Sequence, residues 1–181
     1  GHHFVEQLHQ SDANVEITVL CGESRLAYDR VYLSSFFSGA SADDLALTTP
    51  AQYAEWGVNV VTNALVTDID RDNNKVTTSE GQVFSYDKLV LATGSYPFVP
   101  PIPGNDQEHC LVYRTIDDLL AIEASATVSK VGVVVGGGLL GLEAANALKQ
   151  AGLDTHVVEF APQLMAVQLD QAGGNVLKDK I

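Results

Sequence analysis

The chain of 181 residues carries 10 Lys and Arg against 23 Asp and Glu, a formal net charge of −13 with the histidines neutral. A surface this negative repels phosphate backbones and anionic headgroups, which argues against nucleic-acid binding and polybasic membrane docking. With 46% hydrophobic and 18% charged residues, the composition is that of a chain able to bury a core, not of a disordered acidic tail.

Phe4, Val5 and Leu8 stand at helical spacing, so a helix is expected to be under way almost from Gly1. Val15 to Leu20 alternates and is β-branched enough for a strand, and the stretch from Cys21 to Ser34 reads as a loop set on its end. Pro50 signals a short helix over Ala51 to Glu55. Four short strands are expected next, at 57–61, 64–70, 75–78 and 83–86, with turns at Asn73-Asn74 and Glu80-Gly81. Leu89 to Gly94 is a continuous apolar run, as in a parallel strand buried on both faces. Pro97, Pro100, Pro101 and Pro103 stiffen its exit and place a domain junction nearby. Asp117 to Ala124 reads as a helix, Val131 to Val135 as a second buried strand, and Gln168 to Ile181 as an unfinished helical pattern. An opening without a preceding strand and an uncapped close suggest a piece of a longer protein.

Cys21 and Cys110 lack a CxxC partner or a His-rich neighbourhood, so neither a metal site nor dithiol chemistry is expected. The apolar run from Val131 to Leu142 is shorter than the roughly 20 residues a membrane span needs. No basic-then-apolar leader opens the chain, and a reducing, cytoplasmic compartment is the expectation.

Residues 136–141 read Gly-Gly-Gly-Leu-Leu-Gly, a G-x-G-x-x-G pattern between the Val-rich strand and a helix over Leu142 to Leu148. In that setting Gly136 permits a tight turn, Gly138 a close approach to a pyrophosphate, and Gly141 close helix packing, while the amides of Leu139 and Leu140 belong to the anion-attracting helix start. A strand from Thr155 to Val158 follows and ends on Glu159, about 20 residues on, where a ribose-binding acid belongs. A carboxylate there opposes a 2′-phosphate, and residues 160–162 bring no Arg, so NADH is expected over NADPH. The first half repeats this outline. Gly1, its helix and the strand to Leu20 match Gly141, its helix and the strand to Val158. Gly1 would then be the last glycine of a second fingerprint whose strand and earlier glycines are missing. Cys21 stands where Glu159 stands, and Glu23 is either the displaced ribose acid or a plain loop carboxylate.

Two such fingerprints with Ala92-Thr93-Gly94 between them resemble the two-dinucleotide-domain flavoprotein reductases. The stretches at 27–34, 92–97, 112–115, 136–145 and 159–166, with 168–171, resemble more closely the large subunits of cytoplasmic NAD(P)H-dependent nitrite reductases. The resemblance implies an α/β fold with two Rossmann-like dinucleotide-binding domains, both incomplete, and a small hairpin-rich β-sheet. Residues 1–103 would be a partial FAD-binding domain lacking its first strand, and residues 104–181 a partial NAD-binding domain. Without that strand, FAD is expected to be held weakly or not at all.

By the same resemblance Glu23, Arg30, Thr93 and Gly94 become candidate FAD contacts. Val66 lies where a backbone group meets the adenine. Arg114 is either an FAD contact or part of a surface ion pair. Glu143 either lies near nicotinamide and flavin or stabilises the first turn of its helix. Ser35 stands where ferredoxin-reductase-like relatives have a lysine. Tyr28, Tyr96 and Tyr113 either stack on a ring or simply pack. No catalytic acid, base or nucleophile is required, because NAD and FAD carry the electron chemistry. The implied function, in nitrate assimilation, passes hydride from NADH to FAD. Electrons then move to sirohaem and iron–sulfur domains beyond this chain, with a small subunit as a further partner, for reduction of nitrite to ammonia. The chain alone is not expected to reduce nitrite. Two other readings stand: an NADH-dependent reductase of rubredoxin or ferredoxin, and a non-enzymatic NAD-binding module.

Overall fold

Local caps and buried apolar side chains decide where the elements begin. In the computed structural model, which describes residues 1–11 and 14–181, these elements fall into two units. The first holds Gly1–Asp29 and Asp43–Ser95, the second Arg30–Ala42 and Tyr96–Ile181.

In the first unit, helix α1 (His2–Gln10) is followed by strand β1 (Ile17–Leu20), helix α2 (Pro50–Glu55) and strand β2 (Val58–Val61). Thr49 caps α2 by accepting the Gln52 N–H at 3.1 Å, with Pro50 in the first turn where its missing N–H costs nothing. β1 and β2 pair in parallel, Ile17 opposite Val58 through Leu20 opposite Val61. Val5, Tyr53 and Val58 form the core, with Ile17, Val19, Leu26, Trp56 and Val60 packed against it. Strands β3 (Val66–Asp70), β4 (Lys75–Thr78) and β5 (Val83–Ser85) make an antiparallel meander. Its first turn is closed by the Asp70 carboxylate, which accepts the Asp72 and Asn73 amides, and Asn74 takes φ 53°.

The apolar run from Leu89 to Gly94 is not the doubly buried strand its composition suggested. It pairs with no described strand, and Val90 and Leu91 are 53% and 65% exposed. Hydrophobicity favours burial, but a strand also needs a neighbour's ladder, and among the described strands β1 and β2 pair only with each other. β1 likewise starts at Ile17, not Val15.

In the second unit, a 3₁₀ segment (Leu33–Ser38) begins at the end of the expected Cys21 to Ser34 loop and runs past it. Helix α3 (Ile116–Val128) carries a capping box: Thr115 accepts the Asp118 N–H and Asp118 accepts the Thr115 N–H. This starts the helix one residue before the expected Asp117 and buries Ile116 and Leu119 almost completely, each worth roughly 1.5–3 kcal/mol. Strand β6 (Val131–Val135), helix α4 (Leu139–Gln150) and strand β7 (Asp154–Val158) form a parallel βαβ unit. α4 packs on one face, where a Cβ on Gly132 would meet Leu148 and Leu153. The opposite face leaves Val131, Val133 and Val135 more than half exposed, so β6 is buried on one face, not two. Helix α5 (Gln171–Lys178) starts later than Gln168, because Asp170 caps it by accepting the Gly173 N–H at 2.8 Å.

Candidate functional site

The turn from β6 into α4 and the end of β7 bring together Gly136, Gly138, Leu139, Leu140, Gly141 and Glu159 from among the residues singled out from the sequence. Gly136 sits at φ 121°, closed to other residues without strain, and its N–H donates to the Val158 carbonyl at 2.8 Å, tying the turn to the end of β7. Gly138 is the N-cap of α4, where no side chain caps the helix, and a Cβ added there would meet nothing within 4 Å. A Cβ on Gly141 would stand 1.9 Å from the Gly136 carbonyl oxygen, so this position brings helix and turn together. Leu139 and Leu140 open α4 with exposed side chains, and the amides of such a first turn have no acceptors within their own helix. The arrangement is one that backbone donors and a helix dipole make attractive to a phosphate group.

Glu159 follows β7 directly. Its Oε2 accepts the Gly137 N–H at 2.5 Å and its Oε1 the Ala161 N–H at 2.7 Å. These two bonds, that of Ala161 first, hold its carboxyl below the usual carboxylate range. Gly137, given no role from sequence, is thereby part of the site: a Cβ there would stand 2.5 Å from Leu164 Cδ2 and 3.1 Å from Glu159 Oε2. Leu164 and Met165 were also missed, since neither belongs to a periodic element. The Met165 N–H donates to the Gly137 carbonyl at 2.9 Å.

Glu143 lies half-buried on α4, and its charge acts on Tyr113. Burial and then Glu143 push the Tyr113 phenol up to about 12. The Tyr113 hydroxyl is buried without a hydrogen-bond partner among the described residues, and its ring stacks on Phe37 at 6.4 Å. Arg30 Nη1 donates to the Arg114 carbonyl at 3.2 Å, and the Arg114 N–H donates to Asp118 at 3.1 Å. Tyr96 is 87% exposed.

The candidates in the first unit are more scattered. Glu23 Oε2 accepts the hydroxyl of buried Tyr28 at 2.6 Å. The Glu23 and Cys21 carbonyls accept the Asn63 and Ala64 amides, which joins the loop after β1 to the residues after β2. Burial, then Glu23, pushes the Cys21 thiol up. Val66 opens β3, half-buried, opposite Thr78. Thr93 and Gly94 are exposed, with Gly94 at φ 68°. Gly1 is the N-cap of α1, and a Cβ there would only touch Ala92 at 3.6 Å, an ordinary contact unlike that at Gly141.

The family model described as pyridine nucleotide-disulphide oxidoreductase matches residues 1–181. The NADH nitrite reductase large subunit of Escherichia coli (strain K12) is 55% identical over 183 residues, which cover 100% of this chain and 22% of that protein. The chain spans about a fifth of the length of the first curated relatives it matches. Among solved structures, the water-forming NADH oxidase from Lactobacillus brevis bound to NADH superposes with TM-score 0.88 at 26% identity, over 99% of this chain and 42% of that one. An NADPH oxidase engineered from it, bound to NADPH, superposes with TM-score 0.90 at 26% identity, again over 99% and 42%. No helix among the described residues is long and apolar enough to cross a membrane.

Proposed function

The chain belongs to the pyridine nucleotide-disulphide oxidoreductase family, and on that premise we propose that it forms the NADH- and FAD-binding region of an NADH-dependent nitrite reductase. The observation that carries the proposal is the joint geometry of the β6–α4 turn and Glu159, supported by the 55% identity to the E. coli large subunit. The residues of the β6–α4 turn and Glu159 would hold NADH, which when bound would supply a hydride for FAD, with sirohaem and iron–sulfur domains outside this chain as the proposed destination of the electrons.

The residues present fit the dinucleotide. Gly138 leaves open space where its diphosphate would approach, and Gly138 to Leu140 bring first-turn backbone amides to the start of α4. Glu159 has each oxygen engaged by one amide, which leaves lone pairs free for ribose hydroxyls while its orientation is fixed in advance. Its negative charge opposes a 2′-phosphate, which favours NADH. The NADPH-bound engineered oxidase gives a parallel. It carries a glycine-to-alanine change and, eighteen residues later, aspartate to alanine followed by alanine to arginine. Gly141, Glu159 and Phe160 have that same spacing in this chain.

For the flavin, residues 1–103 are proposed as the FAD-binding portion and residues 104–181 as the NAD-binding portion. Gly1, Glu23, Val66, Thr93 and Gly94 are its proposed contacts, with Arg30 and Arg114 assigned by resemblance. Glu143, beside the neutral Tyr113 phenol, is proposed to face the nicotinamide. A cytoplasmic location and a small-subunit partner complete this reading. Its test is anaerobic titration of the intact protein with NADH and with NADPH, followed by nitrite. Bleaching of the flavin spectrum by NADH and its recovery on nitrite addition are expected. Absence of NADH-driven bleaching overturns the reading.

A further inference from the structure

Between Glu159 and α5 the chain folds back onto the glycine turn. Leu164 places Cδ2 2.5 Å from where a Gly137 Cβ would be, so its side chain lies directly on that glycine. Met165 takes φ 53°, an uncommon conformation for a residue with a side chain, and its N–H donates to the Gly137 carbonyl at 2.9 Å. Both backbone groups of Gly137 are therefore engaged, the carbonyl by Met165 and the N–H by Glu159.

The segment is braced within itself. Gln163 Nε2 donates to the Leu169 carbonyl at 2.8 Å, and the Gln168 and Leu169 N–H groups both donate to the Met165 carbonyl at 2.9 Å. Asp170 then caps α5, where a Cβ on Gly174 would touch Gln163 at 3.1 Å. These bonds tie Met165, in the left-handed region, both to Gly137 and to the residues before α5.

We propose that residues 163–169 form a positioning strap for the dinucleotide turn: Leu164 and the Met165 amide fix Gly137, and Gly137 in turn holds the Glu159 carboxylate toward the ribose. The strap thereby sets the preference for NADH over NADPH, with Leu164 and Met165 acting through Gly137 as positioning residues. This rests on the proposed NADH site at the β6–α4 turn. A carboxylate freed from Gly137 loses preorganised hydrogen bonding to a 2′-hydroxyl and also loses its fixed opposition to a 2′-phosphate, so the two cofactors respond differently.

The test is calorimetric binding of NADH and NADPH to the intact protein and its Leu164→Ala, Leu164→Met, Gln163→Ala and Glu159→Gln variants. Leu164→Ala is expected to weaken NADH about fivefold, in line with coupling between contacting residues, with NADPH unchanged or tighter. Leu164→Met, which keeps an apolar side chain of similar volume on Gly137, is expected to recover most of that loss. Gln163→Ala, which unties the strap without touching Gly137, should move the preference the same way by a smaller factor, and it carries the test if Leu164→Ala fails to fold. Equal losses for both cofactors, the mark of a merely structural role, or no change in either variant, would overturn the strap. Glu159→Gln separates the two ideas. If it weakens NADH while the strap variants do not, only the strap is wrong; if it leaves NADH binding intact, the NADH site and the strap fall together.

Discussion

A Cβ placed on Gly141 would stand 1.9 Å from the Gly136 carbonyl oxygen, whereas one placed on Gly138 would meet nothing within 4 Å. Two glycines of one motif thus answer to different demands. Gly141 is small because the protein itself fills the space, and Gly138 leaves space that the protein does not use.

Alanine at each position should therefore separate folding from binding. Gly141→Ala must push α4 away from the turn, and overpacking of this kind costs about 1–3 kcal/mol of stability. Gly138→Ala, at an ordinary φ of −81° but at the N-cap of α4, should cost less, about 1 kcal/mol or below, yet weaken NADH by about tenfold or more through blocked approach of the diphosphate. Thermal melts and NADH titrations on the same preparations check both; a Gly138→Ala protein that binds NADH normally contradicts the assignment.

Cofactor preference should respond to Glu159 and its neighbour. Glu159→Ala with Phe160→Arg removes the carboxylate and puts a cation beside the ribose. Phe160 is fully exposed, so the change should not disturb packing. NADPH-driven flavin reduction is expected to rise relative to NADH by about tenfold or more, read from initial rates with each cofactor.

Acid should act late on this site. The backbone amides of Ala161 and Gly137 hold the folded Glu159 carboxyl below its unfolded value, so their support is present above the unfolded pKa and lost only as pH falls through the lower folded one. NAD⁺ affinity, used because NADH decomposes in acid, should stay level from about pH 8 to about pH 5 and decline below the normal carboxylate range. Glu159→Gln should abolish that acid limb in a pH series of binding isotherms.

Tyr113 should act at the alkaline end. Its folded phenol, raised to about 12, stays neutral while the unfolded one ionises near 10, so its contribution is whole below about pH 10 and is lost as pH rises toward about 12. Tyr113→Phe removes a buried hydroxyl that has no partner among the described residues, and should raise stability at neutral pH by about 1 kcal/mol while flattening the alkaline decline. Denaturant melts at neutral and alkaline pH show whether it does.

The sequence by itself determined the local grammar of this protein. Val131 to Val135, the three glycines and the apolar helix after them specify a βαβ unit, because strand propensity, turn chemistry and helix start all lie within a few neighbouring residues. The meander from Val66 to Ser85 was legible for the same reason, with Asp70 and Asn74 marking its first turn. Tertiary structure alone decided what depended on distant partners. It left Leu89 to Gly94 without a partner strand among the described residues despite its strand-like composition, since a ladder requires a second chain segment at the right distance. It also brought Leu164 and Met165 onto Gly137, more than twenty residues away in sequence. No propensity encodes that contact: it exists because β7 returns beside β6 and carries the following residues back over the turn.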